Sequence, residues 1–234
     1  MSYCQLLGQT EIPDAFGELA PPMQIALFLG AMSFATAALV CLTAFTRIII
    51  VLSFVRRALA AQEIPPNQVI LGLSFFLTLF VMAPTMEQIN EKGIQPYLAA
   101  QKSVETKEDF QVMDLWNVAS DEIRIFMTQH TRGNDLQLFI DLSKTPTPAS
   151  IDQVPLKVLV PAFIISELKT AFIMGFCIYI PFLLIDLVIS TVLMSLGMMM
   201  MPPVIVSTPC KLLLFVLVDG WQLISRAIVN SFIV

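Results

Sequence analysis

The chain has 234 residues, of which 56% are apolar and 13% charged, with a formal net charge of −5. A soluble globular domain is about half apolar and about a quarter charged, so this composition excludes an ordinary soluble domain and points to lipid, a larger assembly, or both. No basic run could neutralise a row of phosphates, which argues against nucleic acid as a partner.

Residues 1–22 carry Glu11, Asp14 and Glu18 and neither Lys nor Arg. This is the reverse of the basic n-region of a secretory leader. From Met23 to Phe54 the chain is apolar except for Arg47, and Val55-Arg56-Arg57 closes the run. A bilayer core takes roughly 20 helical residues, so the stretch exceeds one span. A second stretch, Val69 to Ala83, ends at Pro84, which makes residues 23–84 a first apolar hairpin. Its connection holds Arg56, Arg57, Glu63 and Pro65-Pro66, and Lys/Arg-rich loops favour the cytoplasm. The acidic N-terminal segment is then extracytoplasmic.

Residues 85–157 hold eleven of the eighteen acids and seven of the thirteen basic residues. They are expected to form a small extracytoplasmic helical domain. Trp116, Ala119, Ile123, Phe126 and Met127 recur at steps of three and four, one face of a helix spanning about Met113 to Gln129. Leu136, Phe139, Ile140 and Leu142 predict a second short helix after Gly133-Asn134. The two stripes can bury each other, or one aromatic, Phe126 or Phe139, can serve a neighbouring subunit. His130 is the only histidine and reads as a surface residue, which leaves no zinc site that needs two. Thr145-Pro146-Thr147-Pro148 reads as an extended connector.

Residues 158–234 form a second apolar helical region. Val158 to Leu196 would extend roughly 58 Å as one helix, almost twice a bilayer core. Pro181 offers a kink or hairpin point, so the segment is either two half-crossings or one long bent helix. The run Met198-Met199-Met200-Met201 follows Gly197 and precedes Pro202-Pro203. Four contiguous methionines cannot share one helix face, so residues 197–203 read as a loop. Arranged around an axis by several subunits, such loops would make a deformable apolar constriction. Lys211 to Val234 is a last helical length containing Asp219 and Arg226.

Charges in apolar segments are expensive unless they are paired or line a wet cavity. Glu167 and Lys169 sit on nearly opposite sides of a helix and cannot satisfy each other. An antiparallel hairpin joined by the methionine loop suggests Lys211 as the partner of Glu167, leaving Lys169 for Asp186, Asp219 or another subunit. A rival assignment uses Glu167, Lys169 and Asp186 as the relay of a proton or small-solute transporter. Cys4, Cys41, Cys177 and Cys210 show no C-x-x-C spacing and read as small hydrophobes. No phosphate loop, dinucleotide fingerprint or nucleophile elbow occurs, so the chain does not read as an enzyme.

Six blocks carry a likeness to a known family: Phe45 to Val51, Pro65 to Val69 with Phe80 to Pro84, Ser166 to Phe172, Ile180 to Val188, Leu196 to Pro203, and Lys211 to Trp221. Together they resemble the FliP family of flagellar biosynthetic proteins over the chain from about Met23 to its end. Virulence type III secretion homologues share most of these blocks, but Pro202-Pro203 and the Phe126-Met127 to Leu138-Phe139 region look more flagellar.

The resemblance implies an all-α subunit of the export gate, without catalytic activity or cofactor, in the bacterial inner membrane at the flagellar basal body. In this family several copies, here taken as five, assemble as a helical ring with FliQ and FliR inside the MS ring, projecting to the periplasmic side. FlhA and FlhB act at the cytoplasmic face, and unfolded flagellar proteins pass through the pore. Membrane lipid is the other implied partner. By the same resemblance Met198, Met199 and Met200, with Met201 completing the run, form the pore gasket. Glu167 and Lys211 form a charged pair, and Phe126 and Phe139 contact other subunits.

Overall fold

A computed structural model describes residues 21–59, 65–102, 112–143, 154–198 and 201–233. The acidic N-terminal stretch, the Thr145 to Pro148 connector, Met199 and Met200 lie outside the described residues. The described residues hold only helices and turns, with no strand. The structured part is therefore all-α.

Helix α1 (Pro21–Leu42) is uncharged and apolar along its length. Up to Leu39 it belongs to one compact unit, and Val40–Val234 form the other. The second unit is organised around α2 (Phe45–Ala58) and α7 (Leu156–Ser195), which pack closely on each other. On α2, Ile48, Val51, Leu52, Val55 and Ala58 recur at three- and four-residue steps and are fully buried. One face of the helix is thereby committed to the interior. On α7 the matching stripe is Val158, Leu159, Ala162, Phe163, Ser166, Glu167, Ala171 and Gly175. Gly175 allows the close approach: a Cβ there would stand 2.5 Å from the Phe54 ring of α2. Phe54 also meets Phe172 edge to face at 5.6 Å.

Helix α3 (Asn67–Ile89) starts after Pro66 and packs on α2. Its buried Ser74 and Thr78 donate to the carbonyls of Ile70 and Ser74, which satisfies their hydroxyls within the helix. Pro84 does not end this helix, contrary to the sequence expectation. The chain runs through it to Ile89, then through a π-helical turn (Asn90–Ile94) into α4 (Gln95–Lys102). Proline denies the helix one N–H and crowds one carbonyl, and the intact turns on either side outweigh that single loss. The same holds at Pro161 and Pro181, both inside α7, which is one helix of 40 residues rather than two half-crossings.

Helices α5 (Val112–His130) and α6 (Gly133–Ser143) both pack on α7. The stripe read from the sequence on α5 is covered only at its end: Phe126 and Met127 are buried while Trp116 is 64% exposed. After α7 the chain turns back into α8 (Pro203–Leu217), which lies against it, and then into α9 (Gly220–Asn230). The last helical length is thus broken, with a 65° bend between α8 and α9. Asp219 makes the corner in the left-handed region at φ 50°, where Asp is better tolerated than most residues. Among the described residues three helices are long and apolar enough to cross a membrane, 22–42, 67–99 and 156–195, and the bent pair α8–α9 would make a fourth.

Candidate functional site

Arg47 and Glu167 are both buried charges, 3% and 0% exposed. Arg47 donates through Nε to Glu167 Oε2 at 2.8 Å and through its second terminal nitrogen to Oε1. Its first terminal nitrogen donates to the carbonyl and hydroxyl oxygens of Ser231 at 2.9 and 3.0 Å. The Phe232 ring closes the site, 3.8 Å below the guanidinium. A planar five-donor fork suits this bidentate geometry, and the stacked ring shields it from solvent. The turn between α5 and α6 is tied in as well: Arg132 donates through its backbone N–H to Ser166 Oγ at 3.0 Å and through its side chain to Thr170 Oγ1 at 3.1 Å.

Lys211 is also buried, at 3% exposure, but its partner is Asp186 at 2.5 Å. The expected Glu167–Lys211 pair does not form. An antiparallel hairpin matches positions equally far from its turn. Counted outward from the middle of the methionine run, Lys211 and Asp186 are each about a dozen residues away, roughly 19 Å of helix, whereas Glu167 is more than thirty residues away. The α7–α8 hairpin itself is as expected. Only the register assigned to it is corrected. One oxygen of Asp186, Oδ1, is enclosed without a hydrogen-bond partner among the described residues.

The hairpin tip begins with a defined stop. Gly197 takes φ +77°, its N–H donates to the Met194 carbonyl at 3.1 Å, and the N–H of Met198 donates to the Leu193 carbonyl at 3.0 Å. This paired arrangement satisfies the last carbonyls of α7. Met198 and Met201 then stand 41% and 40% exposed, on either side of Met199 and Met200.

Lys169 meets neither Asp186 nor Asp219. It approaches Asp135 of α6 at 3.9 Å from a largely exposed position, a pair of small energetic weight. Asp219 is exposed at the α8–α9 corner. Phe126 is 6% exposed among His130, Phe163 and Phe232, so its ring is committed to the chain's own core rather than offered to a neighbour. Phe139 is half-buried against the same core. His130 is not a free surface group either, since both ring nitrogens face carbonyl oxygens. Cys177 and Cys210 are exposed and Cys41 is half-buried, all three as free thiols.

Arg47 is the residue that sequence reasoning passed over. The signal is present: a single cation interrupts the otherwise uncharged, 32-residue stretch from Met23 to Phe54, and such a charge requires a partner. Glu167 interrupts the long apolar run of α7 in the same way, as do Lys169 and Asp186.

Among families of known proteins, the model described as the FliP family matches residues 28–228 of the chain. The flagellar biosynthetic protein FliP of Bacillus subtilis (strain 168) is 50% identical over 210 residues, which covers 90% of this chain and 91% of that protein. That of Pectobacterium carotovorum is 47% identical over 210 residues, covering 90% and 78% respectively. That of Aquifex aeolicus is 40% identical over 224 residues, covering 95% and 90%.

Proposed function

Because the chain belongs to the FliP family, we propose that it is a core subunit of the flagellar protein export gate, forming with its partners the channel that passes unfolded flagellar proteins across the inner membrane. The observation that carries this reading is the α7–α8 hairpin. Its stem is held in register by the Lys211–Asp186 bridge, its turn is stopped at Gly197, and methionines extend from its tip. Copies of that hairpin arranged around an axis would meet through soft thioether side chains. Such a contact closes against ions yet yields to a passing polypeptide.

The outer face of α7 supports assembly with sister copies. Phe172, Ile173, Phe176, Leu183, Leu184 and Leu187 are all exposed, and a contiguous apolar surface of this extent needs a cover. In this reading five copies form a helical ring with FliQ and FliR within the MS ring, and Phe139 contributes to subunit contacts. FlhA and FlhB approach from the cytoplasmic side. Residues 1–22 and 85–157 face the periplasm, and residues 23–84 and 158–234 form the wall. The subunit acts by position rather than by catalysis, and the Glu167 carboxylate, saturated by Arg47, holds the wall together instead of relaying protons.

The test is electrical. Replacing Met198, Met199 and Met200 with alanine in the reconstituted complex should let ions leak while assembly is kept. Unchanged conductance in an assembled complex counts against the gasket.

A further inference from the structure

His130 closes α5 in a setting that constrains its protonation. Nδ1 lies 2.8 Å from the Phe126 carbonyl oxygen and Nε2 lies 3.3 Å from the Phe232 carbonyl oxygen. Both partners are acceptors. A neutral imidazole has one N–H, so it can serve one of them and must turn a lone pair on the other, whereas the imidazolium donates to both. The ring also lies 4.5 Å from that of Phe126 and 5.3 Å from that of Phe232, and aromatic faces favour a cation. Beside it, between α3 and α5, is a cavity of about 170 Å³ whose walls include Gln88, Glu122 and Gln129. A polar space of that size holds several waters, so protons can reach the ring.

What His130 holds is the turn that covers Arg47. Ser231 accepts two hydrogen bonds from the guanidinium and Phe232 stacks on it, while the Phe232 carbonyl faces His130. We propose that His130 is a proton-operated latch: its doubly protonated ring ties the turn after α9 to α5 and keeps Phe232 over Arg47, and loss of one proton leaves the remaining N–H on the nearer carbonyl, that of Phe126, and loosens that turn. The inference concerns a single chain and does not rest on the gate reading.

Charges of both signs surround the ring. Arg47 of α2, across the Phe232 ring, and Arg132, two residues further on, oppose the extra proton, whereas Glu167 of α7 and Glu122 of α5 favour it. Glu122 is shared with Lys92 of the π-helical turn, and the Asp135–Lys169 pair stands between α6 and α7. The protonated form is the one that holds. The latch is therefore closed at lower pH and open at higher pH.

The experiment is amide hydrogen exchange on the purified full-length chain in detergent at about pH 5.5 and about pH 8, each rate divided by the unstructured rate at the same pH. Protection of the Ser231, Phe232 and Ile233 amides should fall about tenfold at the higher pH, the effect of losing a charge-assisted bond. Leu159 and Phe163 in α7 should hold theirs. In His130→Gln the pH dependence should disappear, because the amide has no proton to lose. Equal protection of the turn at both pH values overturns the proposal, as does a loss shared equally by Leu159 and Phe163, or a pH dependence that survives in His130→Gln. The wild-type comparison of turn and core decides even where the variant fails to fold.

Discussion

Arg47 and Glu167 stand 120 positions apart in the chain and share two hydrogen bonds that join α2 to α7. With Ser231 accepting from the same guanidinium, one side chain joins three helices. A buried pair of this kind contributes more to specificity of packing than to net stability, because its desolvation offsets much of its attraction.

Removing one partner leaves the other charged and uncompensated. Arg47→Met or Glu167→Gln should each lower stability by about 3 to 5 kcal/mol, measured by denaturant unfolding of the purified chain in detergent. The double variant should be less damaged than the sum of the two. Arg47→Lys should not rescue, since an ammonium cannot form the bidentate fork and reach Ser231 at once.

The hairpin register makes a second, opposite pair of expectations. Exchanging charges as Lys211→Asp with Asp186→Lys should recover part of the motility lost in each single variant. Exchanging Glu167→Lys with Lys211→Glu should recover none, because those residues never meet. Recovery in the latter exchange would contradict the register.

Gly175→Ala places a methyl group against the Phe54 ring. Overpacking of this sort costs about 1 to 3 kcal/mol. Phe54→Leu in the same chain should return part of that loss, and a thermal-unfolding double-mutant cycle would reveal the coupling.

Gly197→Val should destabilise by about 1 to 3 kcal/mol, because a β-branched residue resists the positive φ that ends α7. Gly197→Asn should be milder. Comparing the two by thermal unfolding separates the backbone requirement from any effect of added bulk, since a Cβ at this position meets nothing within 4 Å.

Much of the architecture is legible in the sequence because burial and apolar periodicity leave a direct record. The amphipathic α5 is expected over Met113 to Gln129 and spans Val112–His130, and α7 and α8, on either side of the methionine run, pack on each other. What periodicity does not record is which charge meets which. Glu167 has candidates in several segments, and only the distance from the turn, which can be counted, rules Lys211 out. Pro84, Pro181 and Asp219 mislead for a related reason. Local breaker chemistry sets a cost of a few kcal/mol, and the packing that outweighs it at the two prolines, but not at Asp219, is invisible until neighbouring helices are in place. The commitment of Phe126 to an internal aromatic cluster is one of the two readings its spacing allows, since that spacing suits a core and an interface alike.

The 40 residues of α7, at 1.5 Å each, make a rod of about 60 Å. To fit inside a hydrocarbon layer of about 30 Å it would have to lean by roughly 60° from the normal, well outside the tilts of up to about 40° seen for membrane helices. Lipid chains alone therefore cannot clothe this rod. Either half of its greasy length finds a proteinaceous sleeve, or the surrounding membrane must deform, and a subunit extracted without companions should accordingly demand detergent in excess of what a bilayer-depth helix requires.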